Sequence, residues 1–230
     1  MHPVARVSTC YPDKFGVPRQ SGLVPGARAR LVFEPPFRHP DAVRGLEGFS
    51  HLWLIWVFSE SVNEGWSPTV RPPTVRPPRL GGNQRMGVFA TRAPFRPNPI
   101  GLSAVRLEKV ELHPQDGPVL HLSGVDLVDG TPILDIKPYV PLADCIPEAS
   151  EGFTAVPYER LDVEIPAALG CTMTPEERKA LADTLALDPR PQYQDDPERV
   201  YGLLFSGWEV KFRVEGSRLL VLALHEIKAG

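Results

Sequence analysis

The chain has 230 residues, 42% of them hydrophobic and 23% charged, with a formal net charge of −3. That suffices for one large β domain, or for one good core plus a small second module. Its 27 prolines remove backbone donors and fix φ, which excludes a helical bundle and favours loop-rich β architecture.

Residues 4–9 and 27–33 read as short strands, separated by a loop holding Gly16, Pro18, Gly22, Pro25 and Gly26. Residues 39–48 suit a short helix or turn. The apolar run 51–58, HLWLIWVF, predicts a strand buried on both faces, with Trp53, Trp56 and Phe58 as core rather than a cofactor box. Residues 86–91, 100–112, 119–128 and 133–139 continue as strands. Apolar alternation through Val105, Leu107, Val110 and Leu112 slips once, which predicts a bulge. Asp129-Gly130 is a strong turn signal between two strands. Six or more short strands without βαβ alternation predict a mainly β fold: a compact antiparallel β-barrel, not a Rossmann sheet. Residues 141–158 read as a connecting segment. Thr174-Pro175-Glu176-Glu177 opens a helix with a capping box and proline at its first position. Residues 208–214 and 219–227 form a hairpin, completing a small α+β C-terminal module. The expected boundaries are 1–145 for the barrel, 146–158 for the linker and 159–230 for the second domain.

The longest apolar runs, 51–58 and 219–224, are too short to cross a bilayer, and residues 1–10 lack the apolar length of a secretory signal. Cys10, Cys145 and Cys171 are odd in number and far apart, fitting neither a disulfide framework nor a zinc site. A cytoplasmic protein with no metal and no membrane partner is expected.

Charge distribution says more than the total. Between Gly65 and Leu107 there is no Asp or Glu, yet Arg71, Arg76, Arg79, Arg85, Arg92, Arg96 and Arg106 all fall there. Such segregation lets an acidic chain present one positive face. The repeat Thr69-Val70-Arg71-Pro72-Pro73 and Thr74-Val75-Arg76-Pro77-Pro78 predicts a stiff basic arm with polyproline character.

Three stretches are chemically suggestive. The loop 15–23 offers Arg19 and Gln20 to a carboxylate or a base edge, or is an ordinary surface loop. The stretch 79–101 interleaves arginines with Pro, Gly and Phe95, suiting phosphates and a stacked base, or is a solvated loop. In 126–139, Asp135, Lys137 and Tyr139 share one strand face and are equipped to handle a proton, or form a half-exposed face with a salt bridge.

Taken together, these motifs resemble the TrmO (YaeB-like) family of tRNA adenine N6-methyltransferases. The stretches that carry the resemblance are FGVPRQSGL at 15–23, GLEGFSHLWLIWVF at 45–58, VRPPRLGGNQRMGVFATRAPFRPNPIGLS at 75–103, DLVDGTPILDIKPYVP at 126–141 and DPRPQY at 188–193. The resemblance implies a homodimeric β-barrel enzyme that takes S-adenosylmethionine as methyl donor. Its substrate would be the N6-threonylcarbamoylated adenosine 3′ to the anticodon of threonine tRNA. The implied donor contacts are Pro18, Arg19, Gln20, Phe58, Ser59, Arg92, Leu102, Asp129, Gly130, Thr131 and Pro132. Side-chain variation is expected at Ser59, so a contact there would be made by backbone. Arg71, Arg76, Arg79 and Arg96 are expected on phosphates, and the C-terminal module beside the anticodon arm. Asp135 and Tyr139 are the candidates to orient or accept the departing proton, and Asn98 to hold the substituted amide. The duplicated TVRPP departs from the single copy usual in the family. The alternative is a non-catalytic RNA-binding β-barrel tracking a single strand with aromatics and arginines.

Overall fold

The structure is a computed structural model that describes residues 2–64, 73–77, 80, 84–155, 159–190 and 196–227. Six strands close a barrel: β1 (Ala5–Thr9), β2 (Arg28–Phe33), β3 (His51–Val57), β6 (Ile100–His113), β7 (Gly117–Ser123) and β8 (Pro132–Pro138). Their order around the barrel is β1-β2-β7-β6-β3-β8, and every pairing is antiparallel. Closure satisfies the strand edges that an open sheet would leave unpaired. Two-residue alternation sends Val7, Leu31, Leu52, Leu54, Val105, Leu120, Leu122 and Ile133 into a dry interior. β4 (Thr74–Val75) and β5 (Met86–Gly87) pair as a separate two-stranded ribbon.

Several expectations need correction. β3 is not buried on both faces: Leu52, Leu54 and Trp56 point inward, while His51, Trp53, Ile55 and Val57 are half-buried on the outer face. Past His51 its outward residues are apolar, so composition alone could not reveal the alternation. The strand expected at 86–91 stops after two residues and becomes a 3-10 turn, Val88–Ala90. The strand expected to run to 128 ends at Ser123, where Gly124 takes φ 73°. Nor is Asp129-Gly130 a hairpin turn, because β7 pairs with β2 and β6 whereas β8 pairs with β1 and β3. It lies instead in a crossover from one side of the barrel to the other. The expected bulge is present, between Leu107 and Lys109.

After β8 come the short helix α1 (Pro141–Asp144) and a 3-10 turn, Gly152–Ala155. β9 (Asp162–Glu164), α2 (Ala167–Gly170), α3 (Pro175–Leu185), β10 (Tyr201–Phe205), β11 (Trp208–Glu215) and β12 (Arg218–Glu226) follow. The last four strands form a sheet in the order β10-β11-β12-β9. α3 carries the expected capping box, with the Thr174 hydroxyl accepting from the Glu177 amide and the Glu177 carboxylate accepting from the Thr174 amide. The expected hairpin is β11–β12; β9 and β10 were not anticipated, being three and five residues long.

The two modules share one continuous apolar core. Tyr11 lies at its junction, fully buried, edge-on to Phe205 at 5.7 Å. Its hydroxyl is 3.1 Å from that of Thr184 on α3, whose own proton goes to the Ala180 carbonyl. The Tyr11 phenol therefore donates. Burial pushes its pKa far above the ordinary phenol range, so it stays protonated. The Ser206 amide donates to the Cys10 carbonyl at 2.9 Å, and a side chain at Gly16 would collide with Leu203 of β10. The C-terminal sheet is thus clamped on the loop between β1 and β2. Tyr11→Phe removes one buried hydrogen bond while keeping the ring, so it should cost about 0.5–1.5 kcal/mol in a urea titration. An unchanged midpoint would show that this bond contributes nothing to the junction.

Candidate active site

The loop clamped at the junction forms one wall of a cavity of about 1450 Å³. The β1–β2 loop contributes Lys14, Val17, Pro18, Arg19 and Gln20. The end of β3 and the turn beyond it add Trp56, Phe58, Ser59 and Glu60. Ile100, Gly101 and Leu102 enter from the start of β6, and Asp126, Val128 and Thr131 from the β7–β8 crossover. The far side carries Arg76, Arg85, Phe89, Arg92, Phe95 and Arg96, and Phe153 reaches in from the connecting segment. Among the described residues lining this space, Lys14 and five arginines face only two acids, Glu60 and Asp126. Glu60 is paired to Lys14 at 2.7 Å. Low-dielectric walls lined with one sign of charge concentrate the field, so the cleft favours an anionic ligand.

Polar groups in the cleft are held in fixed poses. An Arg92 guanidinium nitrogen donates to the Gln20 side-chain carbonyl, and the Gln20 amide donates to the Arg19 carbonyl at 2.6 Å. Arg96 donates to the Thr91 carbonyl at 3.1 Å, bracing the loop ahead of β6. Deeper in, the Trp56 indole N–H donates to the Ser103 hydroxyl at 3.0 Å, which donates to Asp126 Oδ1 at 2.6 Å. Burial raises the Asp126 carboxyl to about 6, opposed by the Ser103 hydroxyl, the backbone amides of Asp126 and Ser21, and the Arg92 charge. Trp56 packs edge-on to Phe58 with ring centres 4.3 Å apart.

The crossover is tied down by its own polar groups. Asp129 accepts from the Thr9 amide at 2.8 Å, and its amide donates to the Tyr11 carbonyl at 2.8 Å. The Gly130 amide donates to the Val7 carbonyl at 2.8 Å, with Gly130 at φ 76°. The Thr131 hydroxyl donates to the Val128 carbonyl at 2.7 Å.

Comparison with known proteins agrees with this architecture. Residues 6–145 match the family model of the tRNA-methyltransferase O N-terminal domain, and residues 159–227 that of the TrmO C-terminal domain. The chain belongs to the TrmO family. It is 44% identical over 223 residues to the Escherichia coli (strain K12) tRNA (adenine(37)-N6)-methyltransferase, covering 93% of this chain and 92% of that protein. A Pseudomonas aeruginosa relative named for S-adenosylmethionine-dependent methyl transfer is 43% identical over 209 residues, 87% of this chain and 86% of the relative. The crystal structure of TrmO from Pseudomonas aeruginosa superposes with a TM-score of 0.78 at 34% identity, covering 97% of this chain and 96% of that one.

Of the donor contacts that the TrmO resemblance implies, Pro18, Arg19, Gln20, Phe58, Ser59, Arg92, Leu102 and Thr131 all line this one cavity. Asp129, Gly130 and Pro132 are not among its lining residues. Arg76 and Arg96 line it too, while Arg71 and Arg79 lie outside the described residues. The proton-handling candidates sit elsewhere. Asp135 is paired to Lys137 at 2.9 Å and accepts from the Ile136 amide. Tyr139 packs on Trp53 at 5.5 Å and His51 at 6.3 Å. Register places Asp135 opposite Ile55, itself opposite Leu102. Asp135 is not among the lining residues, but it lies one strand over from Ile55, two residues before the lining residue Val57 on the same outer face. Asn98 is exposed and outside the lining, its carbonyl accepting from the Ile100 amide.

Trp56, expected as core alone, is also a cleft wall. Sequence reasoning assigned no role to Asp126, Ser103, Lys14 or Phe89. The first two, with Trp56, come from three separate segments, and no local pattern joins them. Phe89 is 76% exposed at the cleft, a signal only coordinates supply.

Gly101 carries a packing demand. A Cβ there would lie 2.2 Å from the Trp56 ring, closer than any tolerated contact. Gly101→Ala should lower stability by about 1–3 kcal/mol, and adding Trp56→Leu should recover part of that loss. Strict additivity of the two losses in urea titrations would show that the indole is not the obstruction.

Proposed function

We propose that this chain transfers a methyl group from S-adenosylmethionine to N6 of the adenosine 3′ to the anticodon. The acceptor in this reading already carries the N6-threonylcarbamoyl group, on threonine tRNA, and the working unit is a cytoplasmic homodimer. The observation that carries the reading is convergence: eight residues, drawn from five separated segments that the family resemblance links to the donor, line a single cleft. The name of the Escherichia coli relative supports the acceptor atom.

The residues present fit the donor. It supplies a methyl group on a cationic sulfur, attached to an amino-acid end and an adenosine. The Arg92–Gln20 pair presents a guanidinium and an amide suited to a carboxylate. Pro18, Phe58, Leu102 and Trp56 give apolar walls for a purine. The volume, larger than one donor needs, leaves space for a base beside it. Arg76, Arg85 and Arg96 along the far wall suit phosphates, and exposed Phe89 offers a stacking face. The methyl transfer itself demands alignment more than covalent chemistry, which a rigid barrel mouth provides. Leu142 and Ile146, 97% and 60% exposed just after β8, support burial against a second copy.

Mass spectrometry of tRNA nucleosides should show a donor-dependent methyl on the threonylcarbamoylated adenosine. Tight tRNA binding that ignores the donor, with no methylated product, would favour the RNA-binding barrel instead. Arg92→Ala should weaken donor binding roughly tenfold to a hundredfold by calorimetry without RNA, the size of one lost charge-assisted contact. An unaltered affinity would remove Arg92 from the donor site. Arg76→Gln should leave donor affinity alone while reducing the salt slope of tRNA binding by roughly 0.7–0.9. A slope equal to wild type would take Arg76 off the phosphates.

A further inference from the structure

The acids of the cleft are not equivalent. Glu60 is exposed and neutralised by Lys14. Asp126 sits in the wall, partly exposed to the cavity, and has no described Lys or Arg within ion-pair distance. Its hydrogen bonds have a fixed polarity. The Trp56 indole can only donate, and it donates to Ser103 Oγ. Ser103 Oγ, in turn, directs its single proton to Asp126 Oδ1. The ionised carboxylate is thus the form this chain of bonds favours. One carboxylate oxygen is held by Ser103 at 2.6 Å, on an aromatic wall held flat by Gly101.

We infer that Asp126 is the proton acceptor of the methyl transfer, positioned by Ser103 and Trp56. The inference rests on the function proposed above. An adenine nitrogen bonded to a carbonyl carbon is weakly nucleophilic, because its lone pair is delocalised. Its attack becomes favourable only as its proton leaves. In the transfer, the bond from N6 to the methyl carbon forms while the carbon–sulfur bond breaks, its electron pair staying on sulfur. The N6–H bond's pair remains on nitrogen, and the proton passes to the Asp126 carboxylate and then to water in the open cleft.

The groups facing Asp126 are Ser103 on β6, Trp56 on β3, the Ser21 amide, the Arg92 guanidinium and the Tyr11 phenol. Arg92 alone among them carries charge, since the Tyr11 phenol is held protonated. A carboxyl raised to about 6 is mostly ionised at neutral pH and is a stronger base than a surface aspartate. Asp135, in contrast, shares its charge with the Lys137 ammonium at 2.9 Å.

The test uses the full chain, S-adenosylmethionine, and tRNA carrying threonylcarbamoyladenosine. In the free protein, a carbon-13 titration of the Asp126 carboxyl should have its midpoint near 6. The wild-type single-turnover rate should be flat above pH 7 and fall tenfold per pH unit below that midpoint. D126N should bind the donor like wild type by calorimetry, yet transfer the methyl at least a hundredfold slower, roughly the contribution of a positioned base, with no pH dependence. D126E should recover part of the rate. Ser103→Ala removes a bond to the charged form, so the titration midpoint should move upward. The acid limb of the rate profile should move with it, a displacement of the rate that a purely structural role would not produce.

D126N transferring within threefold of wild type overturns the assignment. So does a wild-type rate that is level from pH 5 to 8, or D126N losing donor affinity as steeply as rate, which would make Asp126 a donor contact. The wild-type profile, the titration and D126E decide the matter even if D126N misfolds. A wild-type protein that transfers no methyl group at all overturns the functional reading and this assignment with it. Methylation by wild type alongside an undiminished D126N sinks only the assignment.

Discussion

A Cβ at Gly101 would stand 2.2 Å from the Trp56 ring, so the indole can lie across β6 only because that position has no side chain. From this close approach follow the other features of the cleft. The indole N–H meets Ser103 two residues along the same strand, and Ser103 reaches Asp126 on the crossover. The outer edge of the ring receives Phe58. Three stretches of chain distant in sequence are thereby locked to a single wall, with its polar groups satisfied in one direction. A buried hydrogen-bond network that is fully satisfied specifies one arrangement, whereas a partly satisfied one permits several.

The opposite wall depends on the second module. Pro18, Arg19 and Gln20 stand on a loop with no ladder of its own. Its conformation is set where Gly16 meets Leu203 and where Tyr11 enters the shared core beside Phe205 and Thr184. The C-terminal sheet therefore shapes the site without lining it among the described residues. A surface loop carrying binding groups needs such a rigid support if its donors are to be aimed in advance.

Charge segregation supplies the rest. The acid-free stretch between Gly65 and Leu107 contributes Arg76, Arg85, Arg92 and Arg96 to one rim. The acids elsewhere leave the net charge at −3. The total charge would point away from a polyanion. The local field points toward one, and within a Debye length of the surface the local field governs encounter.

Much of this was legible along the chain. Period-two alternation, proline content and turn glycines determined a strand-rich barrel, and the Thr174-Pro175-Glu176-Glu177 signature determined α3, because these signals act between residues a few positions apart. The basic rim was legible too, since its arginines are neighbours in sequence. Tertiary structure alone decided which face of β3 looks inward, that Asp129-Gly130 belongs to a crossover, and that Asp126, Ser103 and Trp56 meet. Strand order around a closed barrel is set by pairing between distant segments, so a side chain's partners across the barrel leave no trace in its own neighbourhood. Asp135 and Asp126 look alike within their shared stretch. The lysine beside Asp135 is two residues along the same strand and was legible. Only closure of the barrel leaves that pair on the outer surface and sets Asp126 in the cleft.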